Sequence, residues 1–160
     1  MATNAEKAIE IFKSVEGQEE GVGDWLKVDQ ERINLFADAT DDHQFIHVDP
    51  EKSAELSPYK VTIAHGFLTL SLVVPLSSSI KPLKPEALEG VYMGVNYGLD
   101  KVRFPSPVKV NSRVRARQTL VEAELKNPNT IQVKKEITIE IEGEKKPACV
   151  AEFLTRLLYS

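Results

Sequence analysis

The second half of the chain alternates apolar and polar residues, and this pattern constrains the fold more than any other feature. It is clearest in residues 130–143, TIQVKKEITIEIEG. The apolar positions that share one face are Ile131, Val133, Ile137, Ile139 and Ile141. A period of two is that of a β-strand with one face buried. Lys135 is the one exception on the apolar face, and the pattern predicts an antiparallel sheet with one apolar side.

The neighbouring segments extend this sheet. Residues 113–125, RVRARQTLVEAEL, also alternate, but the parity slips between Leu120 and Val121, which predicts a β-bulge. Residues 127–129 and 142–144 are turn signals, and residues 146–159 supply a closing strand.

The first half of the chain has helical spacing instead. Residues 5–15 predict a short amphipathic helix, and Asp29 is a plausible N-cap for a second helix over residues 30–40. A strongly apolar helix is expected to begin near residues 64–66, and Pro75 is expected to kink or end it. Helices followed by an antiparallel sheet make an α+β fold, in which a helix covers the apolar face of the sheet. The length of 160 residues suits a single domain over residues 1–160.

Charge and composition narrow the classes of function. A net charge of −4 argues against nucleic-acid binding, which depends on a surplus of Lys and Arg. The apolar run from Gly66 to Ile80 is too short and too rich in Ser and Thr to span a bilayer. No secretory signal is evident at the N-terminus, and the single Cys149 fits a reducing compartment. We therefore expect a cytoplasmic protein.

Residues 41–50, DDHQFIHVDP, concentrate acids and histidines. Asp49 precedes a proline and is expected to cap a new helix, while Asp41 and His43 frame a loop or face solvent. Asp42 and His47 are five residues apart, which places them about 140° apart on a helix and on opposite faces of a strand. Their side chains can meet only in an irregular loop, and the apolar residues between them should draw that loop inward. A buried carboxylate or imidazole needs a partner.

A metal site is the alternative for this segment. His43 and His47 have the i, i+4 spacing that places two imidazoles on one helical face. Position 44, however, is Gln rather than the Glu of a zinc-protease helix, and the only other histidine is His65. An acid/base pair therefore explains the segment better than a catalytic metal does.

Residues 62–67, TIAHGF, form a second candidate. Gly66 at the start of the apolar helix would let a substrate approach a backbone N–H, and a helix N-terminus favours negative charge. Those are the requirements of a thioester oxygen that becomes an enolate. Gly66 could instead serve close packing alone.

Three runs of residues carry a family resemblance. DHQFIHVDP at 42–50, AHGFLTLSL at 64–72 and NYGLDKVRFP at 96–105 resemble the MaoC-like, (R)-specific enoyl-CoA hydratases, and in particular their NodN-like branch. The resemblance implies a hot-dog fold, in which an antiparallel sheet wraps around a central apolar helix, and a homodimer. It implies reversible addition of water to a trans-2-enoyl thioester of coenzyme A or acyl-carrier protein, with no metal or redox cofactor.

Residue by residue, the resemblance implies catalytic roles for Asp42 and His47 and an oxyanion-binding role for Gly66. The chain departs from the hydratase pattern at Gln44 and Phe45, where Asn and Pro are typical. The candidate substrate-binding residues are Gln44, Phe45, His65, Asn96, Tyr97 and Arg103, the last as a donor to a phosphate of coenzyme A. Two other functions stay open: an acyl-CoA thioesterase on the same fold, and a non-catalytic acyl-thioester binding protein.

Overall fold

The computed structural model describes all residues from 1 to 160. The helices are α1 (Asn4–Lys13), α2 (Gln30–Thr40), α3 (Phe45–Val48), α4 (Pro50–Leu56), α5 (Gly66–Ser71) and α6 (Val73–Ser77), with a 3₁₀ turn at Pro85–Leu88. The strands are β1 (Glu19–Val22), β2 (Leu26–Val28), β3 (Val91–Arg103), β4 (Ser112–Asn127), β5 (Thr130–Ile141) and β6 (Cys149–Tyr159). This is the α+β arrangement that the sequence predicts.

The six strands form one antiparallel sheet in the order β1-β4-β5-β6-β3, and β2 also pairs with β4. The apolar face predicted for β5 is buried, so the period-two interpretation is confirmed. The predicted bulge is confirmed as well, because the register of β4 against β5 shifts between Leu120 and Glu122. Strand β3 lies at one edge of the sheet, where it pairs only with β6.

Polar caps fix the starts of the helices that surround the site. The Asp29 carboxylate accepts from Arg32 N at 2.9 Å and begins α2, as predicted. Asp49 accepts from Lys52 N at 3.0 Å, and Pro50 occupies the first turn of α4. Each cap satisfies a backbone donor that the helix leaves unpaired and contributes about 1 kcal/mol.

The apolar helix is divided in two. α5 ends at Ser71, and α6 begins after Leu72. Pro75 lies inside α6 rather than at its end, which corrects the expected position of the break. Proline lacks a backbone N–H and crowds the carbonyl four residues earlier, here that of Ser71, so the helix is interrupted one turn ahead of it.

The α5–α6 pair packs on the apolar face of the sheet. Leu68, Leu72 and Leu76 are buried against β4, β5 and β6 side chains such as Val114 and Ile139. Full burial of each such side chain stabilises the folded state by about 1.5–3 kcal/mol. A second apolar cluster lies under α1 and the far part of the sheet. None of the helices is long and apolar enough to cross a membrane.

Candidate active site

A change of chain direction after α2 and the short helix α3 bring Asp42 and His47 together. α2 ends at Thr40, and Asp41 adopts a left-handed conformation with φ 58°, which redirects the chain. Asp42 follows in the turn, and His47 lies on α3. The sequence predicted an irregular loop here, so the single helical turn of α3 corrects that expectation in part. The apolar residues Phe45, Ile46 and Val48 make this turn because they draw it toward the core.

His47 is held in one tautomer. Its ring is 7% exposed, and its Nδ1 donates to the Ile63 carbonyl at 2.7 Å. Because a carbonyl can only accept, the proton belongs on Nδ1 and the Nε2 lone pair is left free. Burial lowers the pKa of His47, and the bond to Ile63 offsets this only partly. The imidazole is therefore a neutral base with an available nitrogen near neutral pH.

His65 supports both partners. Its ring is buried, stacks on the His47 ring with centroids 3.8 Å apart, and donates through Nε2 to the Asp42 carbonyl at 3.0 Å. The Phe36 ring also packs against His65, with its centroid 5.0 Å from that of His65. The Nδ1 of His65 is buried and has no hydrogen-bond partner. His65 thus fixes the backbone of Asp42 relative to the ring of His47.

The Asp42 side chain remains accessible, with 54% of its surface exposed. One ligand atom each of Asp42, His47 and His65 lies within 4.8 Å of the others. Two hydrogen bonds of about 2.8 Å can bridge such a gap through one water molecule. The arrangement can therefore hold a water between a carboxylate and a neutral imidazole.

The same three residues are also a two-histidine, one-carboxylate donor set. The two rings lie nearly parallel, at 22°, so their in-plane lone pairs run side by side rather than toward one point. One nitrogen of each ring is also bonded to a carbonyl. His43, the other candidate ligand, instead pairs with Asp38 on α2 at 2.8 Å. This geometry suits the binding of water better than that of a metal ion.

Gly66 begins α5 with an unoccupied backbone donor. The carbonyl four residues earlier, that of Thr62, accepts from Val110 N at 2.9 Å instead. A Cβ on Gly66 would lie 3.3 Å from the Phe104 ring, so the absence of a side chain keeps this backbone approachable. A ligand oxygen that reaches the Gly66 N–H would meet a donor with no competing partner.

The other predicted site residues are more dispersed. Gln44 is exposed at the start of α3, and the Phe45 ring lies under the Lys52 ammonium, 4.9 Å from its centroid. Arg103 is exposed at the end of β3, where its guanidinium donates to the Val102 carbonyl at 2.7 Å.

Asn96 and Tyr97 lie on β3, far in sequence from His47 and His65. The Tyr97 ring is covered by the Arg156 guanidinium at 3.7 Å. Both residues line a pocket of about 310 Å³ beside α5 and α6.

Gln30 connects three segments of the site and was not predicted from the sequence. Its Nε2 donates to the His47 carbonyl at 2.7 Å, and its Oε1 accepts from the Thr62 hydroxyl. These residues are 17 and 32 positions away, so no local spacing could reveal the contacts.

A second pocket, larger than the one beside Asn96 and Tyr97, does not contain the Asp42–His47 pair. It has a volume of about 420 Å³ and lies between the sheet and the helices α1 and α6. It adjoins the smaller pocket, because both are lined by Val73, Val74, Asn96 and Phe153. The α5–α6 helix leads from Gly66 to these pockets, and we regard them as space for a ligand's tail rather than for its reacting atoms.

An antiparallel sheet wrapped around one apolar helix is the hot-dog fold, as predicted. The (R)-hydratase PhaJ1 from Pseudomonas aeruginosa has a similar structure, with a TM-score of 0.67 and 20% identity, covering 91% of this chain and 83% of that one. At this identity the likeness shows the fold alone.

Sequence similarity shows the family. The MaoC like domain matches residues 12–142, and the chain belongs to this family. It is 51% identical to 3-hydroxyacyl-thioester dehydratase Z of Mycobacterium tuberculosis over 140 residues, which cover 88% of this chain and 89% of the relative. It is 52% identical to nodulation protein N of Rhizobium leguminosarum bv. viciae over 139 residues, 87% of this chain and 84% of the relative. The resemblance to the NodN-like branch is thereby confirmed.

Proposed function

We propose that this protein is an (R)-specific enoyl-thioester hydratase, which adds water reversibly to a trans-2-enoyl thioester and gives a 3-hydroxyacyl thioester. The observation that carries the proposal is a neutral His47 imidazole with Nε2 free, one nitrogen of which lies within 4.8 Å of an Asp42 carboxylate oxygen, a gap that one water can bridge. The relative named 3-hydroxyacyl-thioester dehydratase Z supports the same reaction type.

The mechanism follows from where charge develops. His47 Nε2 takes a proton as the water oxygen bonds to C3, and Asp42 orients that water. The electron pair of the C2=C3 bond moves toward the thioester carbonyl, whose oxygen becomes enolate-like and accepts from the Gly66 N–H. A proton returned from the Asp42–His47 pair to C2 completes the addition. Protons balance within the site, and the reverse sequence eliminates water.

The acyl group has a route away from the reacting atoms. From Gly66 to Ser77 the α5–α6 helix extends about 16 Å, at about 1.5 Å per residue. The two adjoining pockets lie beside its second half and are lined mainly by apolar side chains. With the thioester at Gly66, the acyl chain would follow the helix into them. The carrier, coenzyme A or acyl-carrier protein, would then lie at the exposed side, within reach of Arg103.

We propose further that the chain is one domain over residues 1–160 and acts as a homodimer in the cytoplasm. The outer edge of β3 carries Tyr92, Val95, Tyr97 and Leu99, all of them at least 40% exposed. An uncovered apolar edge strand invites pairing with another strand. A second copy of the same edge would cover these side chains, and the lone Cys149 needs no oxidising compartment.

The test is a direct assay with enoyl-CoAs of graded chain length, followed by the absorbance of the conjugated thioester. Wild type should consume the double bond, whereas Asp42→Asn and His47→Ala should each lose a factor of about 10² or more. No hydration at any length, or wild-type rates in both variants, would contradict the proposal.

The two alternative functions give different signals. A thioesterase would release free thiol, which a thiol reagent detects, and would leave the double bond in place. A non-catalytic binding protein would show neither signal, and its affinity for an acyl-CoA would survive replacement of both Asp42 and His47 by Ala.

A further inference from the structure

The pocket between the sheet and the helices α1 and α6 contains a polar cluster that the proposed mechanism does not use. We call Glu20, Ser77, Gln118 and Lys135 the tail cluster. All four line the pocket of about 420 Å³ among mostly apolar side chains. The Lys135 ammonium lies 3.1 Å from Glu20 Oε1, and the Gln118 amide donates to the same oxygen at 3.3 Å. Lys135 is also the residue that breaks the apolar face of β5.

The tail cluster is poorly explained by stability. The Glu20 side chain is only 8% exposed and that of Lys135 26%, so the ion pair is largely withdrawn from water. A pair in such surroundings contributes little net stability, because desolvation offsets the attraction, and apolar residues of similar size commonly replace it at no loss. Ser77 adds a hydroxyl oxygen that is buried and has no partner. Stability therefore does not account for this set of polar groups in the lining of a mainly apolar pocket.

The charges restrict what this space can accept. Glu20 and Lys135 neutralise each other, and Gln118 and Ser77 are uncharged. Lys84, the other charged residue of the lining, lies 4.0 Å from Glu86, so a charged group would enter without a free counterion. A hydroxyl or carbonyl group fits, because Lys135 has three N–H donors, of which Glu20 can take two, and the third can bond to a ligand oxygen. A plain alkyl chain would instead place its terminal methyl group in contact with the Glu20–Lys135 ion pair.

Resting on the proposed function, we infer that the tail cluster is a specificity site for an acyl chain that carries an uncharged hydroxyl or carbonyl group at its far end. The cluster lies about 16 Å along α5–α6 from Gly66, by the rise of an α-helix. The preferred substrates are thus medium-length enoyl thioesters oxygenated near the end of the chain, rather than short or unsubstituted ones.

The experiment compares plain and ω-hydroxylated trans-2-enoyl-CoAs in pairs of equal length. For each pair, the ratio of the two kcat/KM values is the readout. At the length that reaches the tail cluster, wild type should favour the hydroxylated ester by about tenfold, which corresponds to about one net hydrogen bond. The ratio should fall toward one for shorter chains.

Two variants remove the cluster in different ways. The double variant Glu20→Met/Lys135→Met keeps the volume and removes both charges, and the single variant Gln118→Leu removes one amide. The double variant should lose the preference for the hydroxylated ester, and Gln118→Leu should weaken it, because this amide holds Glu20 Oε1 in place. The matched control is Lys134→Met/Glu152→Met. It removes another ion pair, 3.7 Å apart, whose lysine is next to Lys135 in sequence and lies on the opposite face of β5. It should keep the wild-type ratio.

The outcomes separate this inference from the proposed function. If wild type hydrates none of the esters, the proposed function fails. If wild type hydrates them but its ratio stays below about threefold at every length, the inference is overturned and the tail cluster only holds water. A wild-type ratio in the folded double variant Glu20→Met/Lys135→Met overturns it too. The wild-type ratio decides the question even if both variants fail to fold.

Discussion

Replacing His65 by Phe should separate activity from stability in this site. His65 contacts the reacting pair from behind: it donates to the Asp42 carbonyl at 3.0 Å and stacks on the His47 ring at 3.8 Å. A phenyl ring keeps the aromatic stack and is larger by one ring atom, but it cannot donate to Asp42. The substitution therefore removes the one side-chain contact that ties the Asp42 backbone to the base.

The magnitudes follow from these contacts. The lost hydrogen bond costs about 1 kcal/mol, but the variant also removes the buried, unpartnered Nδ1 of His65, whose desolvation costs about as much or more. The free energy of unfolding should thus stay within about 1 kcal/mol of wild type. Activity should fall further, since a displacement of about 1 Å in a catalytic group can cost about 10²-fold in rate.

The assay pairs urea unfolding with kcat and KM for hydration of an enoyl-CoA. We expect a lower kcat for His65→Phe with KM little changed, because Asp42 orients water rather than the acyl chain. His65→Gln is the matched control, since its amide can donate toward Asp42 and should restore part of kcat. The reasoning is refuted if folded His65→Phe turns over within about twofold of wild type, or if Gln is no better than Phe.

Four further predictions concern separate parts of the molecule. Because the pKa of His47 is lowered, kcat/KM should fall with acid only below pH 6.5. The unfolded protein binds this proton at a higher pH than the folded protein does, so the stability measured by urea unfolding should also fall as the pH drops below 6.5. Gly66→Ala should cut kcat/KM about tenfold or more by moving Phe104, with stability by urea unfolding within about 1 kcal/mol. Gln30→Leu should lower the free energy of unfolding, measured with urea, by about 1–3 kcal/mol, because the His47 carbonyl loses its hydrogen-bond donor. Val95→Lys should convert the proposed dimer to a monomer in sedimentation velocity, and an unchanged mass would contradict the proposed β3 interface.

The parts of the fold that local periodicity determines were predictable. The strand β5, the bulge after Leu120 and the caps at Asp29 and Asp49 each depend on residues within a few positions of one another. Alternation and capping are short-range rules, so a sequence displays them directly. The break before Pro75 was misplaced because proline disturbs the turn that precedes it.

The support around the candidate site was not predictable in the same way. His65 reaches the Asp42 carbonyl across 23 positions, and Gln30 reaches that of His47 across 17. Such contacts depend on how α2, α3 and α5 pack, and no spacing in the sequence encodes that packing. The residues Asp42, His47 and Gly66 were identified from motif and chemistry, whereas the groups that orient them required the structure.

The unequal burial of the pair suits a reaction that consumes water. His47 is 7% exposed, and burial keeps its imidazole neutral and able to accept a proton. The Asp42 side chain is 54% exposed, so water has access from that side. If both groups were buried, no water could enter. If both were exposed, bulk water would solvate His47 and weaken its hold on a single oriented molecule. In the proposed mechanism, the site therefore admits its second substrate past Asp42, while the acyl chain lies along α5.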